Sequence, residues 1–435
     1  MKVIADLQLH SRFARAVSSK MVVPTISRWA RKKGIDLVAT GDWTHPVWFR
    51  ELKANLEEAG EGTYKVKGEG EGAPRFLLST EVSSIYSQGE KTRRIHTLIF
   101  APSFEVVEKI NKEFAARGAN LLSDGRPIVG LSAKTVAQIV LDVDERCLII
   151  PAHAWTPWFS LYGSMSGFDS LSECFGDLAG SIYAIETGLS SDPAMNWRIE
   201  ELKERRIVSF SDAHSPQKLG REATVFELPE ISYESVREAI VGKGNSKIAY
   251  TLEFYPEEGK YHYTGHRKCK VVYSPKETRK KGVTCPVCGK NLTVGVMSRV
   301  ESLASYDVDT ESQMDEFGVR WIKDKEGRRP SYAMLVPLLE IIAEARGMGV
   351  GTKTVMVAYE QLIGPFGNEF NVLLKTPLKE LQNVADEKVV EGIKKVRAGD
   401  IVIEPGYDGV FGKVKIWKEE EMKKEKASAD QTTLF

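Results

Sequence analysis

The chain has 435 residues, 42% hydrophobic and 28% charged, with 60 basic and 60 acidic side chains in balance. That length allows two or three domains with ample cores, and a formal charge of zero gives no bulk field announcing a nucleic-acid partner. No run approaches about 18 apolar residues, so no membrane span is expected. The opening MKVIADLQLH reads as a strand and not as a secretory signal, so an intracellular, cytoplasmic protein is expected. Five cysteines, three of them late in the chain, fit metal ligation in a reducing compartment better than a disulfide framework.

Residues 1–248 alternate between two kinds of segment. VIADL, DLVAT, RFLLSTEV, IHTLIF, CLIIPAH, IYAIETG and RIVSFSD read as buried strands. VPTISRWARKKG, SFEVVEKINKEFAARG, SAKTVAQIVLDV, DPAMNWRIEELKERR and SYESVREAIVGKG read as helices with mixed faces. Such alternation implies a mainly parallel sheet, and about seven units favour a barrel over a short open sheet.

Five of the seven histidines, His10, His45, His96, His153 and His214, fall at the ends of these apolar runs. With Asp6, Asp42, Glu81, Glu186 and Asp212 they form a scattered set of nitrogen and oxygen ligands. Strand ends that converge in space are where a barrel builds a multinuclear metal site. The pattern predicts a hydrolytic metalloenzyme.

Residues 249–298 change character, becoming rich in aromatics and lysine. His266-x2-Cys269 and Cys285-x2-Cys288 supply four ligands in two pairs, the spacing of a tetrahedral structural zinc. His262 competes for the fourth place, but only His266 repeats the x2 spacing. Cys147 and Cys174 sit in apolar surroundings and read as core. The basic run PKETRKKG between the two ligand pairs suits phosphate contacts. Residues 299–416 read as mostly helical, ending in a Gly-rich hairpin, EPGYDGVFGKVKIW. Residues 417–435 read as a flexible, charged tail.

In order, ADLQLHS, GDWTH, TEVSS, RRIHTLIF, IIPAHAW and SFSDAHS resemble the successive motifs of the PHP (polymerase and histidinol phosphatase) superfamily. The full arrangement is an α/β PHP barrel (1–248), a small zinc-binding module (249–298) and a mainly helical DNA-binding domain (299–416). It is similar to the endonuclease Q family over essentially the whole chain. The resemblance implies a distorted (β/α)7 barrel and an enzyme that cuts double-stranded DNA on the 5′ side of deaminated bases such as uracil and hypoxanthine. It implies two or three divalent metal ions (Zn, Mg or Mn) in the barrel, which activate a water, and one structural Zn. It assigns His10, Asp42, Glu81, His96, His153, Asp212 and His214 to the metals. Glu81 would bridge, and Asp212 or His214 would hold the nucleophile. Gln8 stands where the superfamily usually has a histidine, and Trp43 replaces the histidine usual beside Asp42, which leaves the role of His45 open. Glu186 fits by position, and Asp6 is expected to orient its neighbours.

Reading a deaminated base inside a duplex is hard, so a flipped base in a pocket is expected. Trp155, Trp158 and Phe168, in the long loop after His153, are candidates to stack on it or to wedge the gap, and Ser190 is a candidate for a second wall. Arg93 and Arg94 are candidates for phosphate contact. The end QTTLF, with Gln431, Leu434 and Phe435, resembles an incomplete sliding-clamp motif, implying proliferating cell nuclear antigen as a partner. Two other readings share these residues: a small-molecule phosphatase on the same barrel, and a DNA-binding scaffold with an impaired metal site, which Gln8 and Trp43 would favour.

Overall fold

In the computed structural model, which describes residues 1–418, the seven apolar runs form seven strands of a distorted ring. Lys2–Asp6 pairs in parallel with Leu37–Ala39, which pairs in parallel with Arg75–Leu77. That third strand bends at Leu78 and continues as Ser79–Gln88. The ring then turns antiparallel, Ser79–Gln88 pairing with Lys91–Phe100 and the latter with Leu148–Pro151. Ala184–Glu186 and Arg206–Val208 pair in parallel. Ala154 N–H donates to the Glu186 carbonyl at 3.0 Å, tying them to the preceding strand.

The ring barely closes. Along residues 2–5 the open edge of the first strand is taken by Ala223–Glu227, so among the described residues the backbone pairing of the last strand's extension with that of the first is confined to the Leu9–Ala213 bridge and the His10 N–H to Ala213 carbonyl bond, 3.0 Å. The mainly parallel expectation therefore holds for two arcs, and a ten-residue antiparallel hairpin separates them.

Helices Val23–Lys33, Pro46–Asn55, Phe104–Ala116, Ala133–Val143 and Tyr233–Val241 carry apolar faces that pack against the sheet. Three of them begin at serine caps, Ser103, Ser132 and Ser232, whose side chains accept backbone N–H bonds. DPAMNWRIEELKERR is not the single helix expected. It breaks into Pro193–Trp197 and a short 3-10 turn, Glu200–Leu202. Trp197 and Ile199 are both buried, a spacing of two that one helix face does not satisfy.

A second departure begins after Ala223–Glu227. Lys247–Glu253 joins that strand, Ser331–Met334 adds in parallel, and the hairpin Thr310–Met314/Arg320–Asp324 completes a ten-stranded sheet. The stretch 299–334, read as helical, thus holds one helix, Val296–Leu303, and then three strands that extend the sheet of the ring. Helices dominate only from Leu338–Ala345 to Glu387–Ala398, around Ile341, Tyr359, Leu362, Ile393 and Val396. Buried Arg397 donates to the carbonyls of Val372, Leu373, Thr376 and Phe317 and so joins this bundle to the sheet hairpin. A buried ion pair, Lys33 Nζ to Glu369 Oε2 at 2.7 Å, docks the bundle on the first helix.

The expected terminal hairpin is present as Val402–Glu404 with Lys413–Lys415. Gln431, Leu434 and Phe435 lie outside the described residues. Among the described residues no helix is long and apolar enough to cross a membrane.

Candidate active site

The strand ends converge as their spacing predicts. His10, Asp42, His153 and Asp212 follow the C-terminal ends of their strands, Glu186 ends its own, and Glu81 lies just past the bend at Leu78. His96 sits inside its strand, opposite Ser83. Asp42, His153 and Asp212 all have positive φ, +48°, +31° and +46°. Non-glycine residues rarely adopt that conformation, and strain of this kind gathers at functional sites.

Two clusters form, each with ligand atoms within 4.8 Å of one another: His10, Asp212 and His214, and Glu81, His96 and His153. Glu81 faces both. Its Oε2 is 3.1 Å from His10 Nε2, while Oε1 is 2.5 Å from His96 Nδ1 and 3.5 Å from His153 Nε2. Asp212 Oδ1 lies 3.2 Å from His10 Nε2. His214 donates from Nδ1 to the Asp212 carbonyl at 2.8 Å, which turns its other nitrogen outward.

The electrostatics match this division. Burial alone would push the Glu81 carboxyl up, but Arg126, His96 and His10 outweigh it and hold the group well below the usual carboxylate range. Burial is likewise outweighed at Asp212, by the hydrogen bond and charge of His10 and by His214, so it too stays ionised. Burial would lower His10, yet Asp42, Asp212 and Glu81 raise it well above the ordinary value. Several carboxylates facing few cations, with Glu186 Oε1 and Gln8 Oε1 buried without hydrogen-bond partners, form a donor set that fits divalent cations.

Some expected ligands stand one layer back. Asp42 Oδ1 is 2.9 Å from His10 Nδ1, and its Oδ2 accepts from Ser11 N–H at 2.5 Å. A carboxylate so paired with an imidazole is the arrangement that orients a ligating histidine. Gln8 donates from Nε2 to Glu81 Oε2 at 2.8 Å and steadies that carboxylate. Asp6 accepts from the N–H groups of Ser211 and Gly220, as an orienting residue should, and burial raises its carboxyl to about 6. Glu186 Oε2 accepts from His153 N–H at 2.7 Å, leaving Oε1 free. His45 is outside both clusters: it caps helix Pro46–Asn55, accepting from Trp48 N–H, and stacks on Phe13 at 4.4 Å.

A cavity of about 520 Å³ opens over the clusters. It is lined by His96, His153 and Asp212 from the clusters, by Trp158, Phe159 and Ser190, and by Gly259–His262. Of the expected contact residues, Trp158, Ser190 and Arg94 line it, Arg94 lying over the Phe159 ring at 5.6 Å. Trp155 and Phe168 do not. Trp155 is fully buried, donates to Asn196 Oδ1 at 2.6 Å and packs on Tyr162. Phe168 is buried, and Arg93 lies over its ring at 4.0 Å and donates to the Gly167 carbonyl. The loop after His153 folds on itself and consumes these three side chains.

Residues the sequence did not single out complete the site. Arg126, 3.3 Å from Glu81, comes from the turn SDGRP, where Gly125 sits so close to Asp42 that a Cβ would lie 2.5 Å from its Oδ2. An arginine in a Gly–Pro turn was the available signal. Tyr261 belongs to the connection into the zinc module, and nothing in its spacing marks it as a cavity wall; His262 beside it, weighed in the sequence only as a zinc ligand, lines the same cavity.

In that module His266, Cys269, Cys285 and Cys288 come within 4.8 Å of one another, and His262 is elsewhere, buried against Tyr263. Burial would raise the Cys285 thiol, but the N–H groups of Cys288 and Val287 outweigh it and lower it to about 6. Four soft or borderline ligands with thiolate-stabilising amides fit a structural zinc.

Fold and site together define a metal-dependent phosphoesterase of mixed α/β architecture, with a paired nitrogen–oxygen ligand centre on a distorted ring, a cysteine–histidine knuckle and a helical bundle. Residues 337–400 match the family model described as the MJ0043 C-terminal domain. The chain is 33% identical to the lesion-specific endonuclease PfuEndoQ from Pyrococcus furiosus, with a TM-score of 0.80 covering 98% of this chain and 99% of that one. It is 34% identical, with a TM-score of 0.80 and coverage of 96% and 98%, to endonuclease Q in complex with a 27-mer duplex substrate carrying an abasic lesion at the active site. It is also 37% identical over 270 residues to the uncharacterized protein MJ0043 of Methanocaldococcus jannaschii; the match takes 60% of this chain and spans 31% of that relative's length. The chain belongs to the endonuclease Q family.

Proposed function

We propose that this chain is a DNA repair endonuclease that hydrolyses the phosphodiester on the 5′ side of a deaminated base, uracil or hypoxanthine, turned out of the duplex into the cavity. The observation that carries the reading is Glu81, whose two oxygens face His10 of one ligand cluster and His96 and His153 of the other, with His96, His153 and Asp212 lining a cavity large enough for a base. His10, Glu81, His96, His153, Asp212 and His214 would hold two or three divalent ions, with Asp42, Gln8 and Asp6 positioning them. Such ions supply a water acidified towards neutral pH and neutralise charge on the phosphate.

The chain's own groups do the rest. Asp212 lines the cavity with its Oδ1 3.2 Å from His10 Nε2 and is held ionised, placed to accept a hydrogen bond from the attacking water and hold it. Arg94 stands at the cavity wall, where it can meet a non-bridging phosphate oxygen. Trp158 and Tyr261, ring centroids 5.5 Å apart, offer an aromatic wall for the base. The zinc module, whose basic helix Pro275–Lys281 carries Arg279, Lys280 and Lys281 in its last turn, suits phosphate contacts along the flanking duplex.

The test is nicking by metal-saturated protein of a duplex with one deoxyuridine, alongside undamaged duplex and histidinol phosphate. Cleavage of only the deoxyuridine duplex, 5′ to the lesion, is expected. Turnover of only histidinol phosphate would replace this reading with a small-molecule phosphatase. Binding of duplex without cutting would replace it with a scaffold.

A further inference from the structure

Turning a base out of a duplex leaves a gap in the stack, and base-flipping and duplex-kinking proteins commonly fill or open such gaps with an apolar side chain. Trp155 and Phe168 are buried in the folded loop, and Trp158 lines the cavity as a wall for the base itself, which leaves the gap to a group outside that loop. We propose that Phe411, supported by Val410, is that wedge, inserted at the lesion from the tip of the C-terminal hairpin. This deepens the endonuclease reading and rests on it.

Three observations carry the proposal. First, exposure. Phe411 is 63% accessible and Val410 39%, and among the described residues no other aromatic ring is classed as exposed. A single exposed aliphatic is ordinary. Two adjacent apolar side chains held out from a turn are not needed by the fold.

Second, rigidity. The tip is a two-residue turn, Asp408–Gly409, with φ of +43° and +84°, closed by Tyr407 N–H to Val410 carbonyl and Val410 N–H to Tyr407 carbonyl bonds of 3.0 and 2.8 Å. Asp408 accepts from Arg267 N–H at 2.7 Å and from the Thr293 hydroxyl at 2.6 Å, binding the turn to the zinc module. Gly406 and Gly412 lie against the backbone of 257–259, where any Cβ would come within 2.3 Å of the Gly259 carbonyl oxygen or 2.0 Å of the Glu257 carbonyl oxygen. A wedge works only if its base does not yield, and this one is fixed on two sides.

Third, position. The segment that grips the tip is the same one that walls the cavity. Gly406 and Gly412 donate to Glu257 and Glu258, and Gly409 donates to Lys260 at 2.9 Å. Lys260 lines the cavity, and its Nζ lies over the Phe411 ring at 4.5 Å. One side chain therefore separates the exposed ring from the space proposed for the base. The lysine beside it places positive charge where the flanking phosphate would pass.

The experiment uses Phe411→Ala and Phe411→Leu in the metal-loaded full chain, with two substrates: deoxyuridine in a fully paired duplex, and the same strand with the lesion in an unpaired bubble. The proposal expects Phe411→Ala to slow nicking of the paired lesion by roughly tenfold or more, because extrusion from an intact stack is what the wedge assists. It expects near wild-type nicking of the bubble, and recovery of most activity on the paired substrate by Phe411→Leu. An unchanged melting curve excludes a folding defect at this exposed position. A 2-aminopurine beside the lesion should show less unstacking with the alanine variant. Equal loss on both substrates, or no loss on either, overturns the wedge while leaving the endonuclease reading standing. Failure of the wild type to nick either substrate removes that reading and the wedge together.

Discussion

The chain builds two ligand clusters in opposite ways. The centre on the ring is assembled from residues as distant as His10 and His214, buries His10, Glu81 and His96 while leaving Asp212, His153 and His214 half-buried, and mixes imidazole with carboxylate. The knuckle takes His266, Cys269, Cys285 and Cys288 from two short pairs, stands partly exposed, and uses thiolates. A closed, soft tetrahedral set holds a metal for shape; a borderline-to-hard set that shares one carboxylate between two groups leaves room for substrate. The difference predicts different failures when each is damaged.

The largest effect is expected from Asp212→Ala, which should lower nicking by roughly a thousandfold or more, as loss of several kcal/mol of charge stabilisation would. DNA affinity measured by gel shift should persist. Retained turnover would take Asp212 out of the chemistry. Cys285→Ala should do the reverse: one equivalent of zinc is lost by elemental analysis, amide exchange in 264–292 quickens, and duplex binding weakens. Unchanged zinc content would refute the ligand assignment.

A contrast between this centre and the sheet beyond the ring gives a smaller effect. Glu81 and Asp212 have cationic neighbours and stay ionised. Glu253, also fully buried, has no such neighbours among its principal influences, and burial raises its carboxyl to about 8 beside Glu222, which is also raised by burial and by Glu253. The folded state thus keeps a proton that the unfolded chain releases near 4.5. Below that pH the group contributes its full stability, which is lost as pH rises towards 8, at no more than about 1.4 kcal/mol per pH unit. Glu253→Gln should flatten chemical-denaturation stability across that window; an identical pH slope would contradict the assignment. The smallest effect belongs to His45→Ala, which should cost about 1 kcal/mol as a lost helix cap and leave the metal content unchanged. Loss of a metal would make His45 a ligand after all.

Much of this was legible because buried strands read as apolar runs wherever both faces are covered; all seven ring strands stood out so. The outer hairpin did not. Thr310–Met314 is exposed at every residue and polar, with no periodic signal to find. The candidate ligands were legible as a set because chemistry recurs at strand ends, but which of them cluster together was not. Asp42 and His10 look alike in sequence, and only the 2.9 Å contact puts one behind the other. Trp155, Trp158 and Phe168 were equivalent aromatics on one loop, and their separation into core and cavity wall depends on how that loop folds over Asn196 and Arg93.

The most direct measurement is an anomalous difference map from crystals of the full chain loaded with Mn²⁺. Density on both sides of Glu81, one site within reach of His10, Asp212 and His214 and the other of His96 and His153, is the predicted result. Density confined to the cysteine knuckle, with none beside Glu81, would contradict the account.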